Sequence, residues 1–258
     1  MNGAAIEIRD VVVKAAPSRS YSGEGVVILN GISLKLSAGT TTALLGRSGS
    51  GKTTLLRTIN GLVSPTSGIV LVDGEVVGKG DLLALRHRIG YVIQETGLYP
   101  HLTIERNVAM PLELAGKPLA ERQSRARELL AMTGLDPSKF ADRMPWQLSG
   151  GQRQRAGVAR ALAADPAILL LDEPFGALDP LTRAEMQTML RDLLKKLQKT
   201  AVIVTHDLQE AVFLADRVLL VDKGSIVADL PSRDVLHSQI PEVKEYVAAV
   251  QRFVEAEA

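Results

Sequence analysis

The chain has 258 residues, 46% of them hydrophobic, enough for one large core or a core with an attached lobe. Lys and Arg total 30 against 29 Asp and Glu, a net charge of +1, so composition gives no argument for nucleic acid as a partner. The absence of cysteine excludes disulfides and thiolate-held zinc, and no apolar run approaches the roughly 20 residues of a membrane-spanning helix. The N-terminus meets Glu7 and Arg9 early and lacks the apolar core of a signal peptide. The expectation is a soluble protein that reaches a membrane only through a partner.

Ile6, Ile8 and Val11–Val13 predict a first strand, and Ala16–Gly25 a small-residue loop carrying Tyr21. Val26–Leu29 and the alternating Ile32, Leu34 and Leu36 predict two further strands. Thr40–Leu45 reads as a buried strand that runs into Gly46-Arg47-Ser48-Gly49-Ser50-Gly51-Lys52-Thr53, followed by Thr54. This segment fits the phosphate-cradling pattern G-x-x-x-x-G-K-[ST]. Its glycines let successive backbone N–H groups turn inward around an anion. Lys52 can reach the outer phosphates, and the Thr53 hydroxyl can ligate hydrated Mg²⁺. Leu55, Leu56, Ile59 and Leu62 then recur at helical spacing, giving the strand, loop and helix in the required order. A nucleoside triphosphate site is the expectation.

Pro65–Gly68 is a turn, and Ile69–Val72, Asp73-Gly74 and Glu75–Val77 predict a tight hairpin. The front third therefore reads as mostly antiparallel β around the phosphate loop. Ile89–Ile93 predicts a strand ending at Gln94, whose neutral amide can join a metal shell or a water and let go again. From Thr103 to about Trp146 the pattern turns helical, and parallel-strand material resumes afterwards, as for an inserted lobe. Ile168–Leu171, Ala201–Val204 and Val218–Val221 are apolar runs of the kind found in central parallel strands. Met186, Met189, Leu190, Leu193, Leu194 and Leu197 form a helical stripe between the first two, opened by a capping box of Thr182 and Glu185. Val243, Tyr246, Val247, Val250 and Phe253 predict an amphipathic terminal helix that packs on the domain or serves a partner.

Leu148-Ser149-Gly150-Gly151-Gln152 opens a small-residue helix. Ser149 and Gln152 stand in the capping-box relation, which accounts for the helix start. It does not account for two glycines, which cost helix propensity but bare N–H groups where a helix terminus attracts anions. Asp172-Glu173 follow an apolar strand directly, and neighbouring strand residues face opposite ways, so the two carboxylates can do two jobs. Asp172 would hold Mg²⁺ and Glu173 would polarise the attacking water. His206 ends another strand, where a lone histidine is usually structural.

Leu148–Gln152 matches the signature motif of ABC (ATP-binding cassette) ATPases, and the chain resembles that family over nearly its whole length. The resemblance implies an α/β fold: a P-loop NTPase core with mainly parallel sheet, an antiparallel β-subdomain and an inserted helical subdomain. One domain is expected, with its β-rich half at 1–97, the helical subdomain at 98–155, the rest of the core at 156–230 and a helical tail at 231–258. It also implies ATP with Mg²⁺ and a head-to-tail homodimer in which one copy's Ser149, Gly150, Gly151 and Gln152 close over ATP held by the other. Glu173 is then the catalytic base, Gln94 the Q-loop residue in the metal shell and His206 the γ-phosphate switch. Asp179 belongs to the D-loop across the dimer. Tyr21 takes the place of the adenine-stacking aromatic, although its spacing to Gly46 is longer than the family pattern.

The single cassette, the run Glu173–Asp179 and the Gly97–Pro100 continuation resemble importers, most of all those for osmoprotectants such as glycine betaine and choline. Methionine or other amino-acid, nitrate or sulfonate importers and lipid exporters are the alternatives. The implied partners are permease subunits at the cytoplasmic face of the membrane and, indirectly, a substrate-binding protein. No nucleic acid is expected, because the coiled coils and zinc cysteines of DNA- and ribosome-acting relatives are missing. Relatives with a regulatory extension continue beyond the position of Ala258, so that regulation is expected to be absent or elsewhere.

Overall fold

The computed structural model describes residues 3–15, 25–94 and 97–256. Strands β1 (Ile6–Lys14), β2 (Val27–Leu36) and β3 (Thr41–Leu45) lead to helix α1 (Lys52–Ile59). Then come β4 (Ser67–Val72), β5 (Glu75–Val76), α2 (Leu82–His87) and β6 (Ile89–Val92). Helices α3 (Ile104–Leu114), α4 (Leu119–Met132) and α5 (Pro137–Phe140) and a 3₁₀ turn at Pro145–Gln147 precede α6 (Gly150–Ala161). The chain finishes with β7 (Ile168–Asp172), α7 (Pro180–Leu197), β8 (Thr200–Thr205), α8 (Leu208–Leu214), β9 (Arg217–Asp222), β10 (Ser225–Pro231), α9 (Ser232–Val235) and α10 (Pro241–Ala256). No helix among the described residues is long and apolar enough to cross a membrane. Two compact units form: Ala4–Leu82 with Val202–Ala258, and Leu83–Ala201 with the N-terminal residues.

In the first of these units, β2, β1, β4 and β5 make a four-stranded antiparallel sheet in that order. Ile6, Ile8, Val11 and Val13 are all buried, and the change from even to odd positions falls at a register irregularity between Ile8 and Val11, where Asp10 takes φ 47°. Asp73 (φ 49°) and Gly74 (φ 81°) both take the left-handed conformation that a two-residue hairpin needs, as the Asp-Gly pair predicted. The two strands expected over Val26–Leu36 are a single ten-residue strand, with register shifts against β1. Helix α1 stops at Ile59, and Leu62 lies beyond it, 53% exposed, instead of on its buried stripe. Gly61 at φ 65° turns the chain out of helical geometry before Leu62 is reached.

The strand that enters the phosphate loop does not join this antiparallel sheet. β3 pairs in parallel with β9, Ala43 opposite Val218 and Leu45 opposite Leu220, while β10 runs antiparallel to β9 on its other side. All five β3 residues are buried, as expected of a strand covered on both faces. The front third is therefore not wholly antiparallel, because its central apolar strand is claimed by partners from the last third of the chain. Leu208 and Ala211 of α8, Val235 of α9, and Val243 and Val247 of α10 complete the cover over β3 and β9. The terminal helix thus packs on its own chain.

In the unit of residues 83–201, β6 and β7 pair in parallel, Ile89 opposite Ile168 and Val92 opposite Leu171. Helices α3, α4 and α6 pack together as the helical lobe. Asn107, fully buried, donates to the carbonyls of Tyr99, Leu102 and Thr103 and accepts from the Tyr99 amide, which fixes the loop entering α3. Helix α7 starts earlier than expected. Asp179 is its N-cap, accepting from the Thr182 amide at 3.1 Å, and Pro180 fills its first turn. Asp followed by Pro is a stronger start than the Thr182–Glu185 pair, which falls inside the helix.

Candidate functional site

The phosphate loop hangs between β3 and α1. Lys52 is 4% exposed, and its ammonium donates to the carbonyls of Gly46 and Arg47, each at 2.8 Å, so the lysine folds back under its own loop. Glycine at 46 is a steric requirement, since a Cβ there would stand 2.2 Å from the Val221 carbonyl oxygen. The turn between β9 and β10 buttresses the loop from outside: the Gly224 amide donates to the Ser50 carbonyl at 2.9 Å. Gly51, the N-cap of α1, offers no side-chain cap. The Ser50 hydroxyl is buried and finds no hydrogen-bond partner. An uncapped helix start, a buried ammonium and an unsatisfied buried hydroxyl are groups that a polyphosphate would complete, so the loop fits that ligand.

His206 belongs to the same unit, between β8 and α8. Asp207 N-caps α8 by accepting from the amides of Gln209 and Glu210, at 2.8 and 3.1 Å. The Asp207 amide donates to the Thr205 hydroxyl at 2.9 Å. Two consecutive residues of α10 reach the phosphate loop and this segment. Glu245 pairs with Arg47 at 2.9 Å, and the Tyr246 hydroxyl donates to the His206 carbonyl at 2.8 Å. The first contact is a surface ion pair of small worth. Burial pushes the Tyr246 hydroxyl pKa upward, reinforced by the charge of Asp207 and opposed by Arg47.

In the other unit, Gln94, Asp172 and Glu173 come together at the ends of the neighbouring strands β6 and β7. Asp172 is 5% exposed and accepts from the Tyr91 hydroxyl at 3.1 Å. Glu173 sits one residue past β7 with φ 45°, a conformation uncommon for a residue with a Cβ. The carboxylates are therefore separated by a turn of the chain, not by pleat alternation. The Gln94 amide nitrogen lies 3.5 Å from Glu173 Oε2, a long hydrogen bond of the kind that breaks readily.

Both halves of the capping box form at α6. Ser149 Oγ accepts from the Gln152 amide at 3.3 Å, and Gln152 Oε1 accepts from the Ser149 amide at 3.0 Å. The two glycines have different reasons to be there. A Cβ on Gly151 would lie 2.4 Å from Thr182 Cγ2, so that glycine lets α6 approach α7. A Cβ on Gly150 would meet only Leu178 Cδ2 at 3.6 Å, an ordinary contact, so nothing within the chain requires glycine there. Gly151→Ala is expected to melt a few degrees below Gly150→Ala, as overpacking costs about 1–3 kcal/mol. Equal thermal midpoints would remove the packing role. Asp179, as cap of α7, is held below the usual carboxylate range by the Thr182 hydroxyl and amide.

Sequence reasoning passed over three supporting contacts: Tyr91 on Asp172, Gly224 on the phosphate loop and the Arg160 guanidinium on the Gly97 carbonyl at 2.7 Å. Only Tyr91 left a signal, as the one hydroxyl-bearing side chain in an apolar strand. Tyr21 lies outside the described residues.

A family profile described as ABC transporter matches residues 29–176. The choline transport ATP-binding protein of Bacillus subtilis (strain 168) is 44% identical over 239 residues, 93% of this chain and 62% of that protein. The chain thus spans less than two thirds of that relative's length. The taurine import ATP-binding protein of Pseudomonas putida is 46% identical over 232 residues, 90% of this chain and 83% of its own. A solved dimeric ATP-binding cassette in a post-hydrolysis state bound to ADP and Pi matches with a TM-score of 0.78 and 34% identity, over 88% of this chain and 99% of that one. The fold is accordingly the P-loop NTPase fold of ATP-binding cassettes, with a mixed sheet, flanking helices and a helical subdomain. The profile match spans more than half of the chain and the taurine import relative is matched over 83% of its length at 46% identity, so the chain belongs to the ABC transporter family.

Proposed function

We propose that the chain is the ATP-binding and ATP-hydrolysing subunit of an ABC importer. It works as a head-to-tail homodimer around two ATP molecules, bound to permease subunits at the cytoplasmic face of the membrane. The observation that carries this reading is the phosphate loop, whose uncapped helix start, buried Lys52 and unsatisfied Ser50 hydroxyl suit a polyphosphate. The solved cassette with ADP and Pi supports the dimer, being itself described as dimeric.

In this reading the loop from Gly46 to Thr54 holds the phosphates. Among the described residues no three His, Cys, Asp or Glu gather into a metal cage. Magnesium needs none, since it takes one or two protein oxygens and completes its shell with water and phosphate. Thr53, Asp172 and Gln94 are donors of that kind, and the bound ion would neutralise charge on the β- and γ-phosphates. Glu173 takes a proton from water as the water oxygen bonds to the γ-phosphorus and the bond to the bridging oxygen of ADP breaks. His206 contacts the γ-phosphate. Ser149 can cap its own helix and still bind a phosphate across the dimer: its oxygen accepts the Gln152 amide, which leaves its proton to donate outward. Gly150, Gly151 and Gln152 close the same face, and Asp179 lies across the dimer contact.

For the transported class we propose quaternary-amine osmoprotectants such as glycine betaine and choline, supported by the choline transport relative. The taurine import relative, at comparable identity, favours a second reading, a sulfonate importer. The test is phosphate release and uptake in proteoliposomes holding the chain, its permease and its substrate-binding protein. Uptake of choline driven by ATP turnover is the expected result. Uptake of taurine alone selects the second reading, and no phosphate release even with the permease removes the ATPase.

A further inference from the structure

A peptide plane has two polar ends, the carbonyl of one residue and the amide of the next. The plane joining His206 to Asp207 is gripped at both. Its carbonyl accepts from the Tyr246 hydroxyl at 2.8 Å, and its amide donates to the Thr205 hydroxyl at 2.9 Å. The rotation of this plane sets ψ at His206, and with it the direction in which the imidazole leaves the backbone. The capped start of α8 holds the chain on one side and β8 on the other, so the remaining freedom is that rotation. Tyr246 is itself held, since Val243 and Val247 on the same helix are buried against β9 and α8.

We propose that Tyr246 is a positioning residue for His206: its hydroxyl, delivered by α10, locks the His206–Asp207 peptide and so aims the imidazole. This rests on the ATPase reading above and adds a residue to it. Tyr246 lies 40 positions from His206 and outside every motif of the nucleotide site. The rest of α10 contributes through the same geometry: Glu245, next to Tyr246, holds Arg47 of the phosphate loop. One terminal helix thereby touches both the loop and the switch segment, the exposed ion pair adding little and the Tyr246 hydroxyl carrying the hold.

Tyr246→Phe removes the hydroxyl and keeps the ring. We expect kcat for phosphate release to fall about three- to tenfold, the factor that one net hydrogen bond represents. Binding of a fluorescent ATP analogue should change less than about twofold, and the thermal midpoint should stay within about two degrees. Thr205→Val, which releases the other end of the plane, should give the same split of kcat from affinity, and it carries the test if Tyr246→Phe folds poorly. The decisive readout is the double variant. In a His206→Ala background, Tyr246→Phe should have no further effect, because its route to the reaction is gone. A persistent effect in that background, or an unchanged kcat in Tyr246→Phe beside an active wild type, overturns the positioning role. A wild type that releases no phosphate overturns the ATPase reading instead.

Discussion

Glu173→Gln is expected to leave ATP binding intact and to cut phosphate release by about 10²- to 10⁴-fold, the usual worth of a general base. The change is nearly isosteric, so the left-handed turn at Glu173 and the capped start of α7 remain. Only the group that takes the proton is lost. A second consequence follows from linkage. If ATP holds two copies together through contacts that exist only in the closed state, blocking hydrolysis traps that state. The variant should therefore elute as a dimer with ATP and Mg²⁺ and as a monomer without them. Asp172→Asn separates the two carboxylates by role. It removes a charge from the buried group that Tyr91 contacts, so its defect should be eased by raised Mg²⁺, whereas that of Glu173→Gln should not. A Glu173→Gln chain that hydrolyses ATP normally, or stays monomeric with ATP, contradicts the assignment.

The parts of the site legible in the sequence were those whose chemistry is packed into consecutive residues. Gly46 to Thr53 states its glycines, lysine and hydroxyl in eight adjacent positions, and Ser149 and Gln152 declare their cap in four. The apolar runs Ile168–Leu171 of β7 and Ala201–Val204 of β8 were equally plain, because burial on both faces removes polar residues from the middle of a strand. What could not be read depends on distant partners. β3 pairs with β9 across some 175 residues of sequence, a choice that neither strand's composition announces. Tyr246 resembled any other core residue on a helical stripe, since the His206 carbonyl it meets has no sequence signature. Gly150 and Gly151 looked alike, and only the 2.4 Å approach of Thr182 tells a packing glycine from an open one. The start of α7 was misplaced for a local reason: Thr182 and Glu185 have the spacing of a capping box, but Asp179 and Pro180 begin the helix first.

The shared-site arrangement can be tested by restoring activity from two inactive chains. Lys52→Ala removes the ammonium that lies under the phosphate loop, and Ser149→Arg fills the open face at the start of α6. Each alone should lower phosphate release by about 10²-fold or more, as losing a preorganised phosphate contact does. Ser149→Arg also forfeits a helix cap worth about 1 kcal/mol, so its folding is checked by thermal unfolding. Ser149→Arg should still bind ATP as an isolated chain, because the damage lies on the face it presents to a partner; Lys52→Ala should not. In a head-to-tail dimer of one of each, one site combines both lesions. The other takes its phosphate loop from the Ser149→Arg chain and its signature from the Lys52→Ala chain, and both are intact. Mixing the two variants should therefore restore phosphate release, to at most about one quarter of wild type if chains pair at random and sites act independently. If each site were built within one chain, every site in the mixture would carry a lesion and no activity would return. That outcome would place Ser149 to Gln152 in the service of their own chain's phosphate loop and remove the dimer from the mechanism.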